Sequence, residues 1–127
     1  MVIDASALLA VFQNEPGQEV VGQEIEKGAL ISAVNITEVI GKLVSAGVAP
    51  ENEAREDVLG LGLTIVPFDS RTAVQASFLY ARRRPYNLSL GDCACLALAQ
   101  SRAEPVLTAE QGWARLLDLG VQVQVIR

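Results

Sequence analysis

Five short apolar runs, residues 2–3, 29–32, 64–66, 105–108 and 121–125, are spread along the chain with helix-patterned sequence between them. Leu8, Leu9 and Phe12 recur at helical spacing after the first run, and Ile36, Val39, Ile40, Leu43 and Val44 form a stripe after the second. Thr64-Ile65-Val66 is β-branched throughout and is stopped by Pro67, while Val121, Val123 and Val125 alternate with Gln122 and Gln124 as a half-buried strand would. Turn residues punctuate the series. Asn14-Glu15-Pro16-Gly17 closes the first helix, Gly28 ends a helix over 18–27, and Gly47 with Pro50 closes the third. Residues 51–61 suit a helix with acids in its first turn, Asp69 or Ser70 can cap the next, and Ser89 opens an Ala- and Leu-rich helix to Gln100. Trp113, Leu116 and Leu117 line a last helix ended by Gly120. Strands alternating with helices imply an α/β fold with a parallel sheet.

No linker, low-complexity tract or repeat divides the 127 residues, so residues 1–127 read as one domain. Half of them are hydrophobic and the mean hydropathy is +0.31, which points to an apolar face covered by a second copy. Charges or glycines interrupt every apolar stretch before membrane-spanning length, and the chain opens with no basic leader, so neither a membrane nor a secretory route is expected. Cys93 and Cys95 lie two apart in one helical run, on different faces, where they cannot pair. A reducing cytoplasm fits them best.

Fifteen acids against ten bases give a net charge of -5, the wrong sign for holding nucleic acid by bulk charge. Histidine is absent altogether, which removes Ser-His and Cys-His catalysis, HExxH zinc sites and imidazole bases together. Chemistry must run on carboxylates, hydroxyls, arginines or metals.

Asp4, Glu38, Asp92 and Glu110 each stand where an apolar run hands over to a helix, the edge at which an open α/β sheet gathers its ligands. Each also has a plain structural reading. Asn35-Ile36-Thr37-Glu38 and Ser89-Leu90-Gly91-Asp92 have capping-box spacing, Glu38 precedes Lys42 by four as an exposed ion pair would, and Glu110 complements a helix dipole. Asp4 can be an ordinary N-cap, and Ser6 can either cap or donate to Asp4. Together the four are harder to dismiss, because carboxylates crowded into one crevice repel unless a cation neutralises them. Oxygen-only donors suit Mg2+ or Mn2+ and not zinc.

Val2-Ile3-Asp4-Ala5-Ser6, Asn35-Ile36-Thr37-Glu38, Leu88-Ser89-Leu90-Gly91-Asp92 and Val106-Leu107-Thr108-Ala109-Glu110 resemble, in order and spacing, the motifs of PIN-domain ribonucleases. The likeness is greatest to the VapC-type toxins of bacterial and archaeal toxin–antitoxin pairs and spans nearly the whole chain. It implies a five-stranded parallel sheet flanked by helices and an acidic pocket holding Mg2+ or Mn2+. It also implies endonucleolytic cleavage of RNA that leaves 5′-phosphate and 3′-hydroxyl ends. Carried over by position, Asp4, Glu38 and Asp92 match the first three acids, with Ser6, Asn35 and Thr108 in support. The fourth position departs: the family commonly has aspartate where this chain has Glu110, and the extra methylene carries the carboxylate outward. A longer arm favours binding through water, manganese or a single metal. The resemblance further implies a homodimer and a cognate antitoxin whose C-terminal segment lies across the active site.

An acidic pocket needs positive charge nearby to hold phosphate, and Arg82-Arg83-Arg84, with Tyr86 for base stacking, is the candidate RNA surface. The same arginines can simply complement a helix C-terminus. Two rival functions remain open. Asp4 could be the nucleophile of an aspartyl-phosphate phosphatase, although Ser6 stands where that chemistry usually has a second aspartate. Alternatively the acids merely cap helices in a non-catalytic PIN-like binding module.

Overall fold

The computed structural model describes residues 1–116 and 118–127. Strands β1 (Val2–Ile3), β2 (Leu30–Ser32), β3 (Thr64–Val66), β4 (Val106–Thr108) and β5 (Val123–Val125) form one sheet in the order β3-β2-β1-β4-β5. Every neighbouring pair is parallel, with Val2 opposite both Leu30 and Val106. Helices α1 (Ala5–Phe12), α2 (Gln18–Glu26), α3 (Ala33–Ser45), α4 (Glu51–Leu59), α5 (Ser70–Ala81) and α6 (Leu90–Arg102) supply the crossovers that parallel neighbours require. The five-stranded parallel sheet flanked by helices is therefore as expected.

Successive strand side chains point to opposite faces, and this divides the core in two. Ile3, Ile31 and Leu107 pack with Leu8, Val21, Val39, Leu43 and Val58, beneath α1 to α4. Val2 and Val106 pack with Leu79, Leu96 and Trp113, beneath α5 and α6. Helix α6 buries every residue from Cys93 to Ala99, and its small alanines and cysteines let it lie close to the sheet. Both cysteines are free. Among the described residues no helix is long and apolar enough to cross a membrane.

The chain runs from β1 outward through β2 to β3, then returns to the other side of β1 for β4 and β5. That reversal opens a crevice at the carboxyl ends of β1 and β4, the topological switch point of such a sheet.

Three local expectations change. The last helix is a five-residue 3-10 helix, Gln111–Arg115, with Trp113 and Leu116 three apart as a threefold period places them on one side. Both are buried, and Leu117 lies outside the described residues. Helix α6 follows α5 through a second 3-10 turn, Arg84–Tyr86, so Asp92 opens a helix without standing at a strand end. Glu38 sits beyond the first turn of α3, whose N-cap is Ser32, with its hydroxyl accepting from the Val34 amide at 3.2 Å.

Candidate active site

Asp4 terminates β1 and caps α1, and it is only 3 % exposed. Its Oδ1 accepts from the Ala7 amide at 2.8 Å, and its Oδ2 accepts from Thr108 Oγ1 at 2.6 Å. The Ser6 hydroxyl lies 2.8 and 2.9 Å from the two oxygens and accepts in turn from the Ala109 amide at 3.0 Å. Ser6 is thus a partner of Asp4 inside α1 and not a separate cap. Burial pushes the Asp4 pKa up to about 6, and the Asp92 charge adds to the rise. Hydrogen bonds from Thr108, Ala7 and Ser6 oppose it.

Glu38 is not the acid of a capping box. Asn35 lies inside α3, 1 % exposed, and its Nδ2 donates to Glu38 Oε1 at 2.7 Å and to the Gly91 carbonyl at 3.1 Å. One amide therefore fixes Glu38 and ties α3 to the first turn of α6. The Glu38 carboxylate rests against the Gly91 backbone, where an added Cβ would come within 2.6 Å of Glu38 Cδ. The sequence shows that glycine but gives no sign of its purpose. The expected ion pair of Glu38 with Lys42 is also absent among the described residues.

Asp92 does close a capping box. Its Oδ2 accepts from the Ser89 amide at 2.9 Å while its own amide donates to Ser89 Oγ at 3.1 Å. The structural reading is correct here, yet it leaves Asp92 Oδ1 without an assigned partner in that box. Glu110 is exposed, caps the Gln111–Arg115 turn without a side-chain bond, and sends its amide to Thr108 Oγ1 at 3.0 Å. Thr108 is fully buried between Asp4 and Glu110 and forms no box with Gln111, whose side chain donates to the Arg127 carbonyl instead.

All four acids line one cavity of about 560 Å³, together with Ser6, Ser89 and Tyr86. Beneath it the Cys95 thiol, pushed well up by burial, also feels the charges of Asp4, Asp92 and Glu38. Its raised pKa marks it as an inert packing thiol. Among the described residues no three Asp, Glu, Cys or His side chains close on a single ion position. The set still fits a hard divalent cation. Magnesium commonly takes one or two carboxylates and completes its shell with water and phosphate oxygens, and an all-oxygen pocket excludes the soft metals.

The three arginines stand outside the cavity. Arg82 caps α5, Arg84 begins the next turn, and Arg83 lies 4.0 Å over the Tyr80 ring while its guanidinium donates to the Tyr80 carbonyl at 3.0 Å. For Arg83 the helix-end reading is the one seen. Tyr86 does line the cavity, with its hydroxyl donating to Asp118 Oδ1 at 2.5 Å. Lys42 and Arg115 are the positive side chains that line it, and sequence reasoning gave neither that place.

A PIN-domain family model matches residues 1–118. A VapC ribonuclease of Mycobacterium bovis is 33 % identical over 116 residues, 84 % of this chain and 88 % of the relative. Ribonuclease VapC42 of Mycobacterium tuberculosis matches to the same extent, 33 % over 116 residues. The chain belongs to the PIN-domain VapC ribonucleases. As for the PIN fold itself, a DNA-bound VapBC from Salmonella typhimurium superposes with a TM-score of 0.76 at 16 % identity, covering 99 % of this chain and 97 % of the other. A toxin–antitoxin complex from Klebsiella pneumoniae gives 0.71 at 21 % identity, covering 99 % and 97 %. Both likenesses concern the fold alone. The PIN motifs seen in the sequence fall on the cavity, each through a different local device: a strand-end cap, an amide clamp, a capping box and an exposed turn.

Proposed function

We propose that this PIN-domain protein is the toxin of a VapBC-type pair, an endoribonuclease that uses Mg2+ or Mn2+ to hydrolyse RNA phosphodiesters. The observation that carries the reading is the convergence of Asp4, Glu38, Asp92 and Glu110 on one cavity in a member of the VapC ribonucleases. Asp4 and Asp92 would hold the ion, Glu38 would stand third, and Glu110 would reach it from the rim. Bound there, a divalent cation supplies Lewis-acid polarisation of the scissile phosphate and of the attacking water.

The protein's own residues set the conditions for that chemistry. Ser6 and Thr108 hold the Asp4 carboxylate in one orientation, and their hydrogen bonds favour its ionised form against burial. Asn35 fixes Glu38, and Ser89 fixes Asp92, so neither acid must be ordered when substrate arrives. Tyr86 offers a ring at the cavity for base stacking, and Arg82 and Arg84, in the segment just before it, offer positive charge outside the cavity. The phosphatase reading fares worse. Ser6, standing where that chemistry usually has a second aspartate, is a hydroxyl that hydrogen-bonds Asp4.

The partners follow from the same reading. VapBC complexes among the similar structures support a cognate antitoxin as the protein's partner. Val74 and Phe78, 57 % and 64 % exposed on one side of α5, support a homodimer. Sedimentation should give twice the chain mass, and Phe78→Asp should reduce it to one copy. The two free thiols agree with action in a reducing cytoplasm. The activity test is cleavage of a single-stranded RNA pool that EDTA stops and Mg2+ or Mn2+ restores. No cleavage with either ion would sink the assignment.

A further inference from the structure

Four carboxylates line the cavity, and a phosphodiester approaching them meets like charge. Two cations share that lining, Lys42 and Arg115. Lys42 is in the last turn of α3, which follows β2, and Arg115 ends the 3-10 helix that follows β4. Since β1 lies between β2 and β4, the two cations arrive from connections on either side of the strand that ends in Asp4. Both residues are exposed, and neither enters an ion pair with a carboxylate of the cavity among the described residues.

Glu38 lies one turn from Lys42, the spacing at which an ion pair normally forms, yet its Oε1 accepts from Asn35 and no Glu38–Lys42 ion pair forms among the described residues. Arg115 likewise bypasses Glu110 on the same short turn. A cation kept from its neighbouring carboxylate is available to an incoming anion. The arginine triplet lacks this placement, because none of its members lines the cavity and Arg83 is already engaged with Tyr80.

We propose that Lys42 and Arg115 grip the RNA backbone on either side of the scissile phosphate, drawing a single strand across the acids from the β2 side to the β4 side. The idea rests on the ribonuclease reading and deepens it. Contacts to phosphate position a strand without reading its bases, so these two residues set affinity and register while base preference comes from elsewhere.

The test uses full-length protein carrying Asp92→Asn, which should hold RNA without cutting it, and measures affinity for a labelled single strand against salt concentration. Each phosphate contact to a single strand contributes roughly 0.7 to the slope of log affinity on log salt, so adding Lys42→Gln and Arg115→Gln should lower it by about 1.4. In the cleaving background the same pair should raise KM more than it lowers kcat, and in the non-cleaving background Lys42→Arg in place of Lys42→Gln should recover about 0.7 of the slope. Both side chains are exposed, so folding should survive, as far-ultraviolet circular dichroism can verify. An unchanged slope in the doubly neutralised protein overturns the proposal. If the wild-type protein cuts no RNA at all, the ribonuclease reading has failed instead, a result the binding slopes do not mimic.

Discussion

Thr108 Oγ1 donates to Asp4 Oδ2 at 2.6 Å, joining the end of β4 to the end of β1. The same hydroxyl accepts from the Glu110 amide at 3.0 Å, so a single buried group orients the acid at the centre of the cavity and the turn that carries the acid at its rim. Its hydrogen bond is also the largest influence holding the Asp4 pKa down against burial.

Thr108→Val should therefore raise the Asp4 pKa above its value of about 6. The titration profile of Asp4 in the metal-free protein should move to higher pH, and stability should fall by about 1–3 kcal/mol as the Glu110 amide and Asp4 lose a buried partner. Thr108→Ser should keep both properties near wild type. A profile that does not move in Thr108→Val would show that the hydroxyl does not govern Asp4.

Asp4 also gives the metal-free protein a pH-dependent weakness. Its folded pKa of about 6 exceeds the ordinary aspartate value of 3.8, so folding favours the protonated acid. The associated stability is fully present below 3.8 and is lost as pH rises through about 6. Asp4→Asn should thus stabilise the metal-free protein at neutral pH, by up to about 3 kcal/mol, and the gain should vanish toward pH 4. Denaturant unfolding of the two proteins across that range measures it. A loss of stability at pH 7 in Asp4→Asn would contradict the sign.

The fold was legible because its strands are short, apolar and separated by turn residues, and because crossovers force such strands to run parallel. The site was legible as a set of acids and much less so as a mechanism of support. Capping-box spacing is satisfied by Ser89 and Asp92 but misleads at Asn35 and Glu38, since the α3 cap is Ser32 and the amide serves to clamp two helices. Spacing reports which residues are neighbours on a helix, not which competing partner wins. The same limit explains Lys42, read as an ion-pair partner from its distance to Glu38. The final helix failed for a different reason: a periodic Trp113 and Leu116 fit a threefold turn as well as an α-helix, and only the short path to β5 decides between them.

Gly91→Ala tests a residue whose importance depends wholly on a side chain from another helix. The added methyl would displace the Glu38 carboxylate and disturb the Asn35 bond to the Gly91 carbonyl. Activity should fall by about 10–100-fold, the usual penalty for disturbing the groups that orient a site, with the fold retained. Wild-type kinetics in a folded Gly91→Ala protein would show that the clamp does not matter for turnover.

Glu110 should matter least among the four acids, being exposed and making no side-chain cap hydrogen bond among the described residues. Glu110→Gln should cost less than about tenfold in kcat/KM, against near-complete loss for Asp92→Asn. Glu110→Asp, which restores the usual shorter arm, should raise activity with Mg2+ relative to Mn2+. Equal and severe losses at both positions would place Glu110 among the tightly held ligands.

The proposed ribonuclease activity requires that the cavity bounded by Asp4 and Asp92 cut RNA with a divalent ion. The most direct measurement is end mapping of a labelled RNA pool after incubation with wild-type, Asp4→Asn and Asp92→Asn proteins, each with Mg2+, Mn2+ or EDTA. Wild-type protein should give fragments with 5′-phosphate and 3′-hydroxyl ends only when an ion is supplied, and both variants should leave the pool intact. Fragments that persist in EDTA, or in either variant at the wild-type rate, would contradict it.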